Sequence, residues 1–329
     1  MKRCLVVGGG GFVGANLVRR LARLGTDIFV INEPRKKLWR IHDLLFSVDV
    51  FQADVSDFRE VRRIVREVKP DVIFNMVTYG DSAYQDDQER IFDTNFYATV
   101  NLLNVCREVG FDCFVNLGSF YEYGVKKCPM HEDMPLEPIS SYGVAKAAAT
   151  QYCLKEALSR KLPVYTVRPF LVYGDFEGEH RPIPKLFSSA LRGTPVVLPA
   201  PHYLYDFIYI EDLIDLFLVV ERKRPRKTYI FNGGFGVQYS MRELTQVFKS
   251  IWQNDIDIRW SNDAMNASME SSSVWCADVT RAQRVLGWVP RHDLSDGVSR
   301  FFDWFTRSQD RYGVSKKETL PVREISVSP

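Results

Sequence analysis

Along the first two-thirds of the chain, short apolar and β-branched runs alternate with stretches whose apolar residues recur every three or four positions. Leu5-Val6-Val7 is apolar throughout, as a strand covered on both faces should be. The stretch 12–24 carries Val13, Leu17, Leu21 and Leu24 at helical spacing and stops at Gly25, a residue suited to the position after a helix. Further strands are predicted at 28–31, 48–51, 72–77, 113–117 and 164–167. Ser56 is the predicted cap of a helix reaching Val68, and 86–109 reads as one long helix. Ser140 or Ser141 caps another that reaches Arg160. Repeated strand–helix–strand units imply an α/β fold, a parallel sheet with helices on both faces.

After Arg168-Pro169 the rhythm changes. Pro182, Pro184, Pro195, Pro199 and Pro201 separate shorter elements. Two segments, 206–210 and 229–231, read as strands that return to the sheet; 242–252, 279–286 and 297–305 read as helices. The expected organisation is a nucleotide-binding domain over 1–170 with a return segment at about 203–232. A smaller, interleaved substrate lobe takes 171–202 and 233–306, and 307–329 forms a mobile tail.

Composition narrows the class. With 46% apolar, 26% charged and 13% aromatic residues in 329, disorder and small disulfide-stapled scaffolds are excluded. The formal charge of +2 gives no reason to expect a nucleic acid or an anionic membrane as partner, and the basic run 222–227 reads as a solvated loop. Six cysteines without a CxxC pair, and no histidine at metal-ligand spacing from them, predict reduced thiols, a cytoplasmic location and no metal site. No apolar run reaches the ~18 residues of a membrane span. The N-terminus enters a strand at once, which leaves no room for a signal peptide. Asn266-Ala267-Ser268 matches a glycosylation sequon but is expected to go unused.

The strongest local signal is the run 8–14, Gly-Gly-Gly-Gly-Phe-Val-Gly, read as GxxGxxG through Gly8, Gly11 and Gly14. It follows a strand and opens a helix, as in a Rossmann-type, doubly wound dinucleotide fold. Gly8 permits the tight turn, Gly11 admits a pyrophosphate at the helix N-terminus, and Gly14 allows close helix–strand packing. The end of the second strand selects the dinucleotide. Asn32 stands where an acid would accept from the ribose of NAD, with Glu33 one place later. Arg35 or Lys36 suits a 2′-phosphate, so NADP(H) is the expected cofactor and NAD(H) the alternative. Asp54 fits either a contact to the adenine amine or a helix start.

Tyr142 and Lys146 lie four residues apart and share one helix face, downstream of Ser119 at the end of the fifth strand. A phenol with a pKa of about 10 is a poor acid–base group at neutral pH. A neighbouring ammonium and an oxidised nicotinamide are expected to lower it. Tyr142 then exchanges a proton with a substrate oxygen that Ser119 also binds, while Lys146 holds the nicotinamide ribose.

These features, with Asn75-Met76-Val77, Thr94-Asn95, Tyr123-Gly124, Tyr173-Gly174, the run 206–212, Asn232-Gly233-Gly234 and the run 286–290, resemble the extended short-chain dehydrogenase/reductase superfamily. The likeness is to its nucleotide-sugar epimerase, dehydratase and ketoreductase branch and covers about residues 3–305. It implies that the dinucleotide meets Gly8, Gly11, Phe12, Val13 and Gly14, then Asn32, Arg35, Lys36, Asp54 and Val55. Met76, Val77, Thr78, Asn95, Tyr142, Lys146, Arg168 and Pro169 complete that implied set. It also implies a nucleoside-diphosphate sugar bound between the lobes, and a homodimer formed through helices 86–109 and 141–160.

Four positions depart from the branch. Phe120-Tyr121 stand where sugar dehydratases carry an Asp-Glu pair, which argues against dehydration. Tyr205 replaces an arginine that meets the substrate diphosphate, and Leu171 replaces an asparagine. Arg181, Lys185 and Arg281 are the substitutes considered for that contact; Thr78, Tyr79, Ser119, Phe120, Tyr121 and Tyr205 complete the expected substrate set. The leading expectation is an NADPH-dependent 4-ketoreductase of a 6-deoxy sugar nucleotide. The alternative is an NAD-dependent 4-epimerase. A reductase of a non-sugar ketone and a non-catalytic redox sensor stand behind these.

Overall fold

A computed structural model describes residues 2–81, 84–261 and 273–312. The sequon 266–268 and the tail from 313 onward lie outside them. The first half runs β1 (Arg3–Val7), α1 (Phe12–Arg23), β2 (Asp27–Asn32), β3 (Asp49–Gln52), α2 (Phe58–Val68), β4 (Val72–Asn75), α3 (Gln88–Phe92), α4 (Ala98–Val109), β5 (Cys113–Leu117), α5 (Ser141–Arg160) and β6 (Val164–Pro169). There follow β7 (Leu171–Tyr173), α6 (Pro182–Arg192), β8 (Val196–Leu198), β9 (Leu204–Tyr209), α7 (Ile210–Lys223) and β10 (Ile230–Gly233). The chain ends with β11 (Gln238–Ser240), α8 (Met241–Ile251), β12 (Ile258–Trp260), α9 (Thr280–Leu286) and α10 (Leu294–Arg307).

Seven parallel strands form the main sheet in the order β10-β6-β5-β4-β1-β2-β3. This is the expected Rossmann-type doubly wound order, extended by β10. Alternation along each strand divides the core. Leu5, Val7, Ile31 and Ile73 face the layer of α2, α4 and α5, while Cys4, Val6, Val30 and Phe74 face α1 and α7. Strand order reverses between β1 and β4, and the crevice beyond their carboxyl ends is where such folds bind ligands.

Several boundaries differ from expectation for identifiable reasons. Asp57, not Ser56, caps α2, accepting from the amides of Arg59 and Glu60; Ser56 instead bonds Asp54. The long helix begins after its cap Asp87, and a π-helical turn at Asp93–Tyr97 separates α3 from α4. Such a turn re-aims the residues it carries and is frequent at functional sites. Of the two strands expected to return, β10 joins the main sheet, and β9 does not. β9 pairs with β7 and β11 in a separate three-stranded sheet. The Asp206 carboxylate draws β9 there, accepting from the amides of Phe235, Gly236 and Ala277. The first residues of the expected tail are docked: Tyr312 is buried, and its hydroxyl donates to the Glu177 carbonyl at 2.9 Å.

All six cysteines are free, and all but Cys128 are buried. Among the described residues no helix is long and apolar enough to cross a membrane.

Candidate active site

A cleft of about 580 Å³ opens at the crevice beyond β1 and β4. Its walls include Gly8, Gly11, Asn32, Arg35, Lys36, Asp54, Val55, Met76, Val77 and Thr78, ten positions of the expected cofactor set. Gly8 has φ +81°, and a Cβ there would stand 3.1 Å from the Met76 carbonyl oxygen. Gly11 is the N-cap of α1 and brings no side chain to it, and the first turn of the helix holds no acid. The leading amides of Phe12 and Val13 therefore keep their hydrogens for an external anion, and the helix dipole favours one. The chain fits a dinucleotide pyrophosphate at this point. Gly14 lies buried behind the loop, as packing requires.

The end of the cleft expected to hold the adenosine is less basic than the sequence suggested. Asn32 is buried, and its amide nitrogen donates to the carbonyls of Glu33 and Lys36, both at 3.0 Å. Its donor end is thus consumed by its own turn, and only its oxygen, an acceptor, is left to face a ligand. Glu33 accepts from Arg90 at 2.7 Å and lies 3.4 Å from Lys36. Five carboxylates line the cleft (Glu33, Asp54, Asp87, Glu89, Asp93) against three cations, Arg35, Lys36 and Arg90. Arg90 also covers the Tyr79 ring at 4.4 Å. Sequence reasoning missed Arg90, because it belongs to no motif and reaches the site only through the fold. Asp54 lines the cleft and accepts from Ser56 at 2.7 and 2.9 Å just before α2.

Behind Val77 and Thr78 of the cleft wall, α5 holds Tyr142 and Lys146 one turn apart, both buried. The Lys146 ammonium donates to the carbonyls of Val77 at 2.9 Å and Leu117 at 3.0 Å, which joins the ends of β4 and β5. Its nitrogen lies 5.9 Å from the Tyr142 ring centre. Burial pushes Lys146 down to about 8. The Tyr142 phenol accepts from the Thr78 hydroxyl at 3.2 Å. Burial holds its pKa well above the ordinary value, and the Asp81 carboxylate adds to that; Thr78 and Ser119 pull it down by hydrogen bonds. The expected lowering is therefore not a property of the protein alone, because desolvation outweighs both hydroxyls. Ser119 caps the short turn Phe120–Glu122 with a capping box.

Other expected residues are placed elsewhere. Arg168 is buried away from the cleft: its Nε donates to Glu122 at 2.7 Å and an Nη to the Tyr123 hydroxyl at 3.0 Å. Pro169 simply ends β6. Asn95 pins the loop after β4, donating to the carbonyls of Tyr79 at 2.6 Å and Ile91 at 2.8 Å. Of the three cations considered for the diphosphate, Lys185 donates to the Val197 carbonyl at 2.8 Å and Arg281 pairs with Asp133 and Glu132. Arg181 differs: it pairs with Asp81, and its charge acts on both Tyr121 and Tyr142. Tyr205 packs on Phe207 at 6.0 Å. The Tyr121 ring stands edge-on to Tyr142 at 5.9 Å and 6.2 Å from Trp275. Phe120 stacks on Phe170 at 5.4 Å.

The loop that delivers Arg181 also holds Glu177. Burial pushes its carboxyl up to about 8, against Arg181, the Gly174 amide and Arg40. The folded chain thus keeps a proton that the unfolded chain loses near 4.5, so stability falls as pH rises from there to about 8. Glu177→Gln should equal the wild type near pH 4.5 and exceed it at pH 8 by on the order of 3 kcal/mol. Thermal unfolding across that range checks it, and parallel curves for the two proteins would refute it.

Comparison with known proteins agrees with this architecture. Residues 4–234 match the family model described as the NAD dependent epimerase/dehydratase family. A UDP-glucose 4-epimerase of Lactobacillus helveticus is 27% identical over 319 residues, covering 90% of this chain and 94% of the relative. A crystal structure of UDP-glucose 4-epimerase from Thermotoga maritima with UDP-glucose superposes with a TM-score of 0.83 at 24% identity, covering 93% of this chain and 99% of that one. A dTDP-glucose 4,6-dehydratase from Bacillus anthracis in complex with NAD gives 0.84 at 20% identity, covering 94% and 98%. Cleft, buried Tyr-Lys pair and strand order thus meet in one lineage: the chain is an enzyme of the NAD dependent epimerase/dehydratase family, within the extended short-chain dehydrogenase/reductase superfamily.

Proposed function

We propose that the enzyme interconverts a nucleoside-diphosphate sugar with its C4 epimer, using NAD. The observation that carries the reading is the buried cluster of Ser119, Tyr142 and Lys146 joined to the cleft wall through Thr78 and the Val77 carbonyl. Bound in that cleft, a nicotinamide supplies reversible hydride exchange with the sugar carbon. The chain supplies the proton. Ser119 and Thr78 orient the sugar oxygen and the phenol, Tyr142 takes or returns the proton, and Lys146 stabilises the phenolate. Arg181, beside Tyr121 and Tyr142, meets the substrate's negative charge in place of the arginine that Tyr205 replaces.

The wall expected to hold the adenosine supports NAD over NADP. An acceptor oxygen on Asn32 and an excess of carboxylates suit ribose hydroxyls and repel a 2′-phosphate. The Lactobacillus helveticus relative, itself a UDP-glucose 4-epimerase, supports the 4-epimerase reading. One observation favours 4-ketoreduction instead: the Tyr121 ring against Tyr142 narrows the space in which a keto sugar must turn over. Tyr97, Val144 and Leu158 are exposed on the helices expected to dimerise, and a second copy of this chain covers them in the proposed homodimer.

Purified protein separates these readings. NAD is expected to bind at least ~10-fold more tightly than NADP, about 1.4 kcal/mol. UDP-sugars should epimerise without added reductant. Stoichiometric consumption of NADPH with a 4-keto sugar, and no epimerisation, would overturn the reading. Light scattering on the same sample tests the homodimer.

A further inference from the structure

Glu122 and Arg168 form an ion pair whose side chains are 0% and 1% exposed. Desolvating such a pair cancels much of its attraction, so its value lies in what it holds in place. We propose that Glu122, clamped by Arg168, is a positioning residue for the acid–base site: it fixes the Ser119 turn against α5 and sets a negative charge opposite Lys146. The inference rests on the acid–base roles given above to Tyr142 and Lys146.

The geometry is specific. One Glu122 oxygen accepts from the Ser119 amide and from the Thr150 hydroxyl, each at 2.9 Å. The other accepts from Arg168 at 2.7 Å. Tyr142, Lys146 and Thr150 are spaced four apart, so Glu122 ties Ser119 to the helix face that carries the chemistry. Arg168 is held in turn: it donates to the Tyr123 hydroxyl at 3.0 Å, which donates to Asn232 on β10 at 2.7 Å. A Cβ on Gly118 would stand 2.6 Å from the carboxylate and 3.1 Å from the Arg168 side chain, so the backbone leaves room for this pair. The groups acting on Lys146 are Glu122, Asp81 and, on its own helix, Cys153; Glu122 is the largest that opposes the effect of burial. Tyr142 lies beside it.

The test is Glu122→Gln, which keeps the shape and one acceptor oxygen for the Ser119 amide and the Thr150 hydroxyl, but removes the charge and the acceptor that meets Arg168. Nuclear magnetic resonance with isotope-labelled lysine follows Lys146 directly, with or without turnover. Its titration is expected to fall by about one pH unit, so that tenfold less of it is charged on the alkaline side. The alkaline fall of kcat should move by the same amount, with KM little changed. Should Glu122→Gln not fold, Glu122→Gln/Arg168→Gln carries the same measurement and the same direction, because Arg168 is not among the charges acting on Lys146. Lys146 titrating at its wild-type pH in the folded variant overturns the proposal. So does a loss of kcat that only follows a loss of thermal stability. A wild-type enzyme inert toward every nucleotide sugar would sink the proposed function and leave the Lys146 titration to judge this inference separately.

Discussion

Tyr142→Phe is expected to lower kcat by about 10³-fold, within the range for loss of a positioned general acid or base. The substitution is nearly silent for packing. The ring keeps its edge contact with Tyr121 and its place against Ile91 and Ala145. The lost oxygen has the Thr78 hydroxyl as its donor at 3.2 Å, and Thr78 already lines the cleft, where water replaces that bond. Stability should therefore change by about 1 kcal/mol or less, and NAD affinity should hold within a few-fold, because the cleft walls from Gly8 to Val77 are untouched. The effect must then appear in kcat and not in binding. Steady-state kinetics beside a fluorescence titration of NAD separates the two. A Phe variant within tenfold of wild type would show that some other group carries the proton, and the whole reading of the cluster would fail with it. Lys146→Met should be nearly as damaging, because burial leaves the phenol with a raised pKa that only a nearby positive charge can offset.

Much of this site was legible before any coordinates. The glycine loop and the Tyr-Lys spacing are local signals: one fixes the start of α1, and the other fixes one helix face. The parallel sheet covered by helices on both faces followed from repeated strand–helix–strand units for the same reason. What failed to show was long-range. Arg90 meets Glu33 across 57 positions, and Arg168 meets Glu122 across 46, so no window of sequence contains either pair. Arg168 illustrates the difficulty. It stands at the end of β6, where the resemblance implied a cofactor contact, yet Glu122 captures it because a buried guanidinium must have a partner. Asn32 shows the same at short range. It ends β2 and lines the cleft, but the direction of its amide depends on a turn that the sequence does not specify. Trp275 reached the aromatic wall beside Tyr121 from a segment with no motif at all.

The second large effect belongs to the glycine loop that opens α1. Gly14→Ala is expected to cost about 2–3 kcal/mol of stability and to weaken NAD binding roughly 100-fold. A Cβ there would stand 2.9 Å from the Gly9 Cα and 3.0 Å from the Gly8 carbonyl carbon, inside van der Waals contact with both, and still closer to the Gly8 oxygen. All of these are backbone atoms, so no side chain can swing aside; either α1 retreats or the loop is pushed outward. Both movements displace the Phe12 and Val13 amides from the anion they are placed to meet, and affinity falls along with stability. Gly25→Ala is the control. Gly25 has φ +67° with nothing within 4 Å of an added Cβ. It should lose about 1 kcal/mol from backbone strain alone and bind NAD as the wild type does. Isothermal titration and thermal unfolding of the two variants give four numbers, and affinity is expected to separate the variants more than stability does. If both lost stability alone and bound NAD normally, the glycine loop would be a packing device and the pyrophosphate would lie elsewhere in the cleft.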